Sequence, residues 1–287
     1  MSTLTWKSVQ KNSNQILSDG VHLLTIQPYQ LFHEVKHTCY GNYLISNLTN
    51  KYYIGEGKDL GKRLKQQFKP TTSTFYKNFQ THRKKYTTVK SIPIESFKVQ
   101  CIETNIGRKE IEEFGIVNLK TPLNRFQLDK RKSFIVECHN GLWNEVQAAK
   151  DELLQQAEEN VLNTKFDFWF DCTALNKAGL YIVRNQNDDL IYIGESSNIF
   201  ERHKTHSSQT YFSALRRHIG TEILKFQLHE KNGRKKYFQM HEEKKVNDFL
   251  RTCRATFYPV TFGRYELEEY LIRNHRPFLN RKDNKDE

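Results

Sequence analysis

The sequence predicts an α/β chain of the α+β kind. It should comprise two small domains, each a three-stranded, mostly antiparallel sheet flanked by helices, joined by a helical spacer. Three observations carry this. The length of 287 residues suits about two domains, each with its own core. A constellation of residues is spelled twice, and an internal repeat decides the architecture before any element is assigned. Within each copy, two short alternating segments around a polar turn precede segments of helical period.

The second copy reads Gly179-Leu180-Tyr181, Tyr192-Ile193-Gly194, Arg202, His206, Glu268 and Asn280. The first reads Gly41-Asn42-Tyr43, Tyr53-Ile54-Gly55, Arg63, Glu112 and Asn124. In both, the arginine lies ten residues past the tyrosine of the second tripeptide. Residues 111–124 and 267–280 align over fourteen positions without a gap. The expected organisation is an N-terminal extension (1–38), a first domain (39–125), a spacer (126–178) and a second domain (179–287) with a basic insertion near 233–254.

Residues 1–38 show no clear period. In the first copy, Asn42–Ser46 and Lys51–Gly55 alternate as strands around the polar turn Asn47–Lys51. Asp59 is placed to cap a helix over Leu60–Phe68, whose Leu60, Leu64 and Phe68 share a face. A helix is expected over Ser73–Lys85, a third strand over Phe97–Glu103, and a helix over Arg108–Leu119 that stops before Pro122. The second copy repeats the order. Strands Leu180–Arg184 and Leu190–Gly194 flank the turn Asn185–Asp189, and Asn198 caps a helix over Ile199–His206. Tyr211–Ile219 is expected as the next helix, Ile223–His229 as the third strand and Thr256–Gly263 as an added one. The helix Tyr265–His275 ends before Pro277. Between the copies, Leu142–Leu162 carries one apolar stripe and predicts a single amphipathic helix. Phe166-Asp167-Phe168-Trp169-Phe170 is too aromatic for a free linker and should pack on the second domain.

Composition narrows the class. No apolar run approaches the roughly 20 residues that cross a bilayer, and the first residues lack a signal-peptide pattern. Five scattered cysteines, with no Cys-x-x-Cys pair, read as reduced thiols of a cytoplasmic protein rather than a disulfide framework or zinc site. Net charge is +12. Residues 39–125 hold 16 Lys/Arg against 7 Asp/Glu, and residues 179–287 hold 20 against 15, so the positive field belongs to the two copies. A basic domain suggests a polyanion, usually nucleic acid. Solvated surface charge is the bland alternative, and the interleaved Phe68, Phe75, Tyr76, Phe79 and Tyr86 read more readily as core than as base-stacking platforms.

The repeated residues are reactive types. Tyr181 and Tyr192 can face one side of adjacent strands, and Arg202 and His206 share a helix face at i, i+4. Glu268 comes from a separate helix. Phosphodiester hydrolysis needs a base for water, a cation for the scissile phosphate and a carboxylate for a hard divalent ion. A single carboxylate suits Mg2+, which keeps several waters and takes substrate phosphate as a ligand. Each residue alone has an ordinary structural reading; order and spacing, present twice, outweigh it.

With Arg, Glu and Asn in register behind the two tripeptides, the chain resembles the GIY-YIG nuclease superfamily over residues 39–125 and 179–281. The block from Leu267 to Pro277 is also similar to the incision domain of the bacterial nucleotide-excision nuclease. The resemblance implies two tandem catalytic domains, each with one divalent metal, Mg2+ with Mn2+ as a substitute. By it, Tyr192 activates water with Tyr181 as partner, Arg202 grips the phosphate with help from His206, Glu268 holds the metal and Asn280 orients the site. Tyr53, Tyr43, Arg63, Glu112 and Asn124 take the corresponding places in the first copy, with Glu112 as metal ligand. That copy departs from the pattern: Asn42 replaces an apolar residue, Gln67 stands where His206 stands, and Gly115 costs its helix about 1 kcal/mol relative to alanine.

The expected function is a metal-dependent endonuclease acting on double-stranded DNA. Its two catalytic domains would form an internal pseudo-dimer within a monomer, or the chain would act as a homodimer, in a restriction or defence role. One alternative is a single-site nickase or structure-specific repair nuclease with the first domain holding DNA. The other is a non-catalytic nucleic-acid-binding protein. Arg234-Lys235-Lys236 could contact phosphates, with a solvated loop as the equal alternative.

Overall fold

A computed structural model describes residues 4–36, 38–47, 50–71, 73–85, 92–124, 135, 141–231 and 233–280, with the side chains of 82–85, 231 and 235 left aside. The chain divides into two compact units, residues 1–153 and 154–287. The segment expected as a spacer is therefore shared between them. Leu48 and Thr49 of the turn Asn47–Lys51, together with Tyr86 and Cys138, lie outside the described residues.

The first unit begins with α1 (Trp6–Lys11) and α2 (Ser13–Ile26), in the stretch that shows no sequence period. Thr5 opens α1 through a reciprocal capping box with Ser8. The absence of a stripe on α2 has a reason: six consecutive residues, Ile16–Val21, are buried, so burial runs round the helix there rather than along one face. A methyl at Gly20 would lie 2.5 Å from Ile111 Cδ1 and 2.7 Å from the Trp143 ring, so glycine lets α2 approach its neighbours. There follow β1 (Gln30–Leu31), β2 (Gly41–Asn47), β3 (Asn50–Gly57), α3 (Leu60–Gln67), α4 (Thr74–Lys85), β4 (Lys98–Glu103) and α5 (Arg108–Leu119). Asp59 caps α3 as expected, accepting from Lys62 N at 2.8 Å. The antiparallel sheet has the order β1-β4-β2-β3, the three expected strands plus a two-residue edge.

The single helix expected over Leu142–Leu162 is in fact two, α6 (Leu142–Ala148) and α7 (Lys150–Leu162), with Ala149 between them at φ −89° and ψ 15°. Tertiary contacts override the period here. Gln147 is tied down at the end of α6, accepting from the backbone N–H groups of Asn105 and Ile106 and donating to the Ile106 carbonyl.

The second unit contains β5 (Asp167–Phe168), β6 (Gly179–Arg184), β7 (Leu190–Ser196), α8 (Ile199–Ser208), α9 (Ala214–His218), β8 (His229–Lys231), β9 (Arg234–Tyr237), α10 (Met240–Thr252), β10 (Arg254–Pro259) and α11 (Arg264–His275). Its main sheet is antiparallel with the order β5-β10-β6-β7, the same topology as in the first unit. Of the aromatic segment, Trp169 packs: it is fully buried and donates from Nε1 to Ser207 Oγ at 3.0 Å, while Phe168 and Phe170 are exposed.

The third strand of this unit is not Ile223–His229. Residues Ile219–Ile223 form a π-turn, 225–228 are irregular, and β10 fills the place beside β6. A short apolar run does not say whether it pairs or only packs. Ile223, Leu224, Phe226 and Leu228 only pack, against the core that contains Leu215, Ile219, Val246 and Leu250. The helix expected from Tyr211 starts later, at Ala214, because Ser213 caps it. The strand expected over Thr256–Gly263 ends at Pro259. The basic insertion is a β8–β9 hairpin followed by α10.

Candidate active site

Each site is built on the pairing of its two tyrosine strands. In the second unit Tyr181 faces Gly194 across the β6–β7 ladder, and in the first Tyr43 faces Gly55 across β2–β3. The glycine is required by what lies over it. A Cβ at Gly194 or at Gly55 would sit 2.3 Å from the hydroxyl of the tyrosine opposite. With that space open, Tyr181 stacks beside Tyr192 at 5.9 Å and 26°, and Tyr43 beside Tyr53 at 6.2 Å and 25°. Both ladders carry an irregularity after the same strand position, Val183/Arg184 and Ile45/Ser46.

The two asparagines are structural clamps of identical design. Asn280 accepts from Ile193 N at 2.9 Å and donates to Ile193 O at 2.7 Å. Asn124 does the same to Ile54, at 2.9 and 2.8 Å. Each fixes the middle of its Tyr-Ile-Gly strand from the segment after the glutamate helix. Those helices start after a left-handed glycine, Gly107 (φ 92°) or Gly263 (φ 80°), which turns the chain from the third strand onto the sheet.

On α8, capped by Asn198, Arg202 and His206 reach the tyrosine pair from one helix face. His206 is 1% exposed. Its Nε2 lies 2.9 Å from Tyr181 Oη and its Nδ1 lies 2.6 Å from Ser213 Oγ. Ser213 Oγ also accepts the Arg216 N–H at 3.0 Å, so His206 joins that helix cap to the Tyr181 hydroxyl. Tyr181 in turn stacks beside Tyr192, and its hydroxyl draws the pKa of Tyr192 down. The result is a hydrogen-bonded chain, Ser213–His206–Tyr181, that ends against Tyr192. Sequence reasoning missed Ser213; the signal was its position three residues before Arg216, as a helix cap.

Electrostatics follow from burial. His206 is held well below its usual pKa of 6.5, first by burial and then by the charge of Arg202 and its cationic neighbours, so it is neutral at pH 7. Tyr181 is raised well above 10 by burial. Tyr192 is pushed up to about 12 by burial and by the Glu268 charge, while the Tyr181 bond, Arg202 and Arg217 pull it down. Arg217, also missed in the sequence, is anchored beside the site by the carbonyls of Thr210 and Tyr211. Glu268 is partly buried and its Oε1 accepts from Glu195 N at 2.9 Å. Arg264 bonds the Glu195 carboxylate at 2.8 Å.

The first unit keeps this frame with three differences. Gln67 turns its Oε1 to Ser73 Oγ and Phe75 N, both at 3.1 Å, and no bond joins its Nε2 to Tyr43. The link that His206 makes is therefore broken. Asn42, buried where the second unit has Leu180, donates to the Arg108 carbonyl at 2.9 Å and to Gly55 O at 3.3 Å, fastening β2 to the start of α5. Glu112 is 7% exposed and pairs with Lys109 at 2.6 Å. Burial raises its carboxyl, opposed by that ammonium. Tyr53 is pushed up to about 12, mainly by burial. Arg63 sits half-buried and its charge acts on both Tyr43 and Tyr53.

Among the described residues, no three His, Cys, Asp or Glu side chains gather to hold a metal. A divalent ion would thus rest on a single carboxylate with water and phosphate completing its shell, which is how Mg2+ is commonly held. Glu268 suits that requirement as a hard oxygen donor. Among the described residues no helix is long and apolar enough to cross a membrane, and Cys39, Cys101, Cys172 and Cys253 are free thiols.

Residues 170–287 match the family model described as the GIY-YIG catalytic domain. The match covers most of the second unit and none of the first. It supports a nuclease function for the second unit, with DNA as the implied substrate. No curated protein matches the chain.

Proposed function

We propose that the chain is a divalent-metal-dependent DNA endonuclease whose second unit performs phosphodiester hydrolysis. The observation that carries this reading is the hydrogen-bonded chain Ser213–His206–Tyr181 stacked against Tyr192, with the charges of Arg202 and Glu268 acting on the same tyrosine pair. Glu268 would hold Mg2+, or Mn2+ in its place, which supplies charge neutralisation for the scissile phosphate. Arg202 binds that phosphate and stabilises its developing negative charge. Tyr192, as the anion left when its proton is lost to solvent, orients the attacking water and takes up one of that water's protons. Tyr181, held by His206, draws the pKa of Tyr192 down and so favours that anion. Asn280 holds the strand that presents Tyr192.

The first unit is proposed as a second GIY-YIG-like domain. Its shared strand order, tyrosine stacking and asparagine clamp support common design. With its histidine link absent and Glu112 paired, the reading these observations favour is a domain that holds DNA while the second unit nicks it. The shared frame also supports the two-site reading, in which both units cut and the chain acts as an internal pseudo-dimer on duplex DNA. That would suit a cytoplasmic restriction or defence enzyme. Labelled duplex and single-stranded oligonucleotides, incubated with Mg2+ or with EDTA, test the common core of both. Cleavage should need the metal and should vanish in Glu268→Ala. Equal cleavage in EDTA would contradict the proposal.

A further inference from the structure

The glutamate helices of the two units agree closely in sequence, Arg108-Lys109-Glu110-Ile111-Glu112-Glu113 against Arg264-Tyr265-Glu266-Leu267-Glu268-Glu269. Five of the six positions keep their character. The exception is Lys109, whose counterpart is Tyr265. Lys109 stands one turn before Glu112 and lies on the same helix face. Its Nζ is 2.6 Å from Glu112 Oε2, with side-chain exposures of 28% and 10%. The Glu56 and Glu113 carboxylates also act on its charge. The pair forms inside α5 itself, so it needs no rearrangement elsewhere. In α11 the corresponding position is a tyrosine, which supplies no positive charge, and Glu268 Oε1 accepts from Glu195 N at 2.9 Å.

We propose that Lys109 supplies in the first unit the positive charge that a divalent ion supplies in the second, so that the chain takes one metal ion and not two. This rests on the reading of the second unit as a metal-dependent nuclease. A hard cation needs a carboxylate oxygen and room for its waters. A buried carboxylate already neutralised by an ammonium at hydrogen-bond distance offers neither, and an incoming ion would face the Lys109 charge directly. The first unit would then keep the half-buried Arg63, beside the buried tyrosines, as a metal-free contact for backbone phosphate, in line with a DNA-holding role.

Mn2+ titration of the full chain, with bound metal counted from the electron paramagnetic resonance signal of the free ion, tests this. Wild type should bind one ion, Glu112→Ala still one, and Glu268→Ala none. Lys109→Tyr, which copies the second unit, should bind two, and adding Glu112→Ala to it should return the count to one. Circular dichroism verifies that each variant is folded, and should Lys109→Tyr not fold, the single-glutamate variants decide. Wild type binding two ions, with Glu112→Ala reducing the count to one, would overturn the proposal. So would a folded Lys109→Tyr that still binds one. A wild type that binds none would instead contradict the metal dependence of the second unit, and the inference falls with it.

Discussion

At the scale of single residues, His206 is the group on which the difference between the two units turns. It is buried and neutral, bonded on both ring nitrogens, and it ties Ser213 to Tyr181, the tyrosine stacked on Tyr192. His206→Gln, which copies Gln67, should lower the cleavage rate by about 10- to 100-fold, toward the lower end of what acid–base groups contribute. Single-turnover kinetics on a labelled duplex measure it. The same residue makes a stability prediction. Its folded pKa lies below its unfolded value of 6.5, so unfolding takes up a proton once the pH falls under that value. The contribution is fully present above about pH 6.5 and is lost as pH falls toward the folded pKa. The melting transition of the second unit should therefore drop on acidification, and His206→Gln should flatten that dependence. Tyr192 sets the sign for catalysis. With its pKa near 12 it is protonated at neutral pH, so the rate in Mg2+ should rise as pH increases. The slope should approach tenfold per pH unit between roughly pH 6 and 8, and Tyr192→Phe should remove that slope.

At the scale of elements, glycine positions show where packing overrules propensity. Gly115 would normally be replaced by alanine with a gain near 1 kcal/mol in helix stability. Here a Cβ would lie 2.4 Å from Ile54 Cδ1, against the strand that carries Tyr53. Gly115→Ala should instead destabilise the first unit, by about 1–3 kcal/mol as overpacking commonly costs. Chemical denaturation followed by circular dichroism would show the sign. The strands, helix caps and asparagine clamps were legible in the sequence because each follows from local chemistry: alternation, Asp59 and Asn198 as caps, and residues repeated in register. What was not legible depends on contacts distant in the chain. The helix α2 is buried all round only over Ile16–Val21, and that run breaks any stripe in its sequence. The apolar run from Ile223 to Leu228 packs without pairing, while β10, 25 or more residues further on, takes the strand position beside β6. Ser213 and Lys109 act through partners that only the folded helices bring to them, apart from the one-turn spacing of Lys109 to Glu112.

At the scale of the whole molecule, two units of one topology carry unequal chemistry. The second has the Ser213–His206–Tyr181 hydrogen-bond chain and a carboxylate that accepts a backbone N–H. The first has a broken chain and a carboxylate paired to lysine. A net charge of +12 suits both to a polyanion, so the inequality bears on cutting more than on binding. The central claim, that hydrolysis resides in the second unit, is tested most directly by following supercoiled plasmid in Mg2+ with wild type, Glu112→Ala and Glu268→Ala. The account predicts that Glu268→Ala leaves the plasmid supercoiled while Glu112→Ala still converts it to the nicked form at close to the wild-type rate. Undiminished cutting by Glu268→Ala would contradict it.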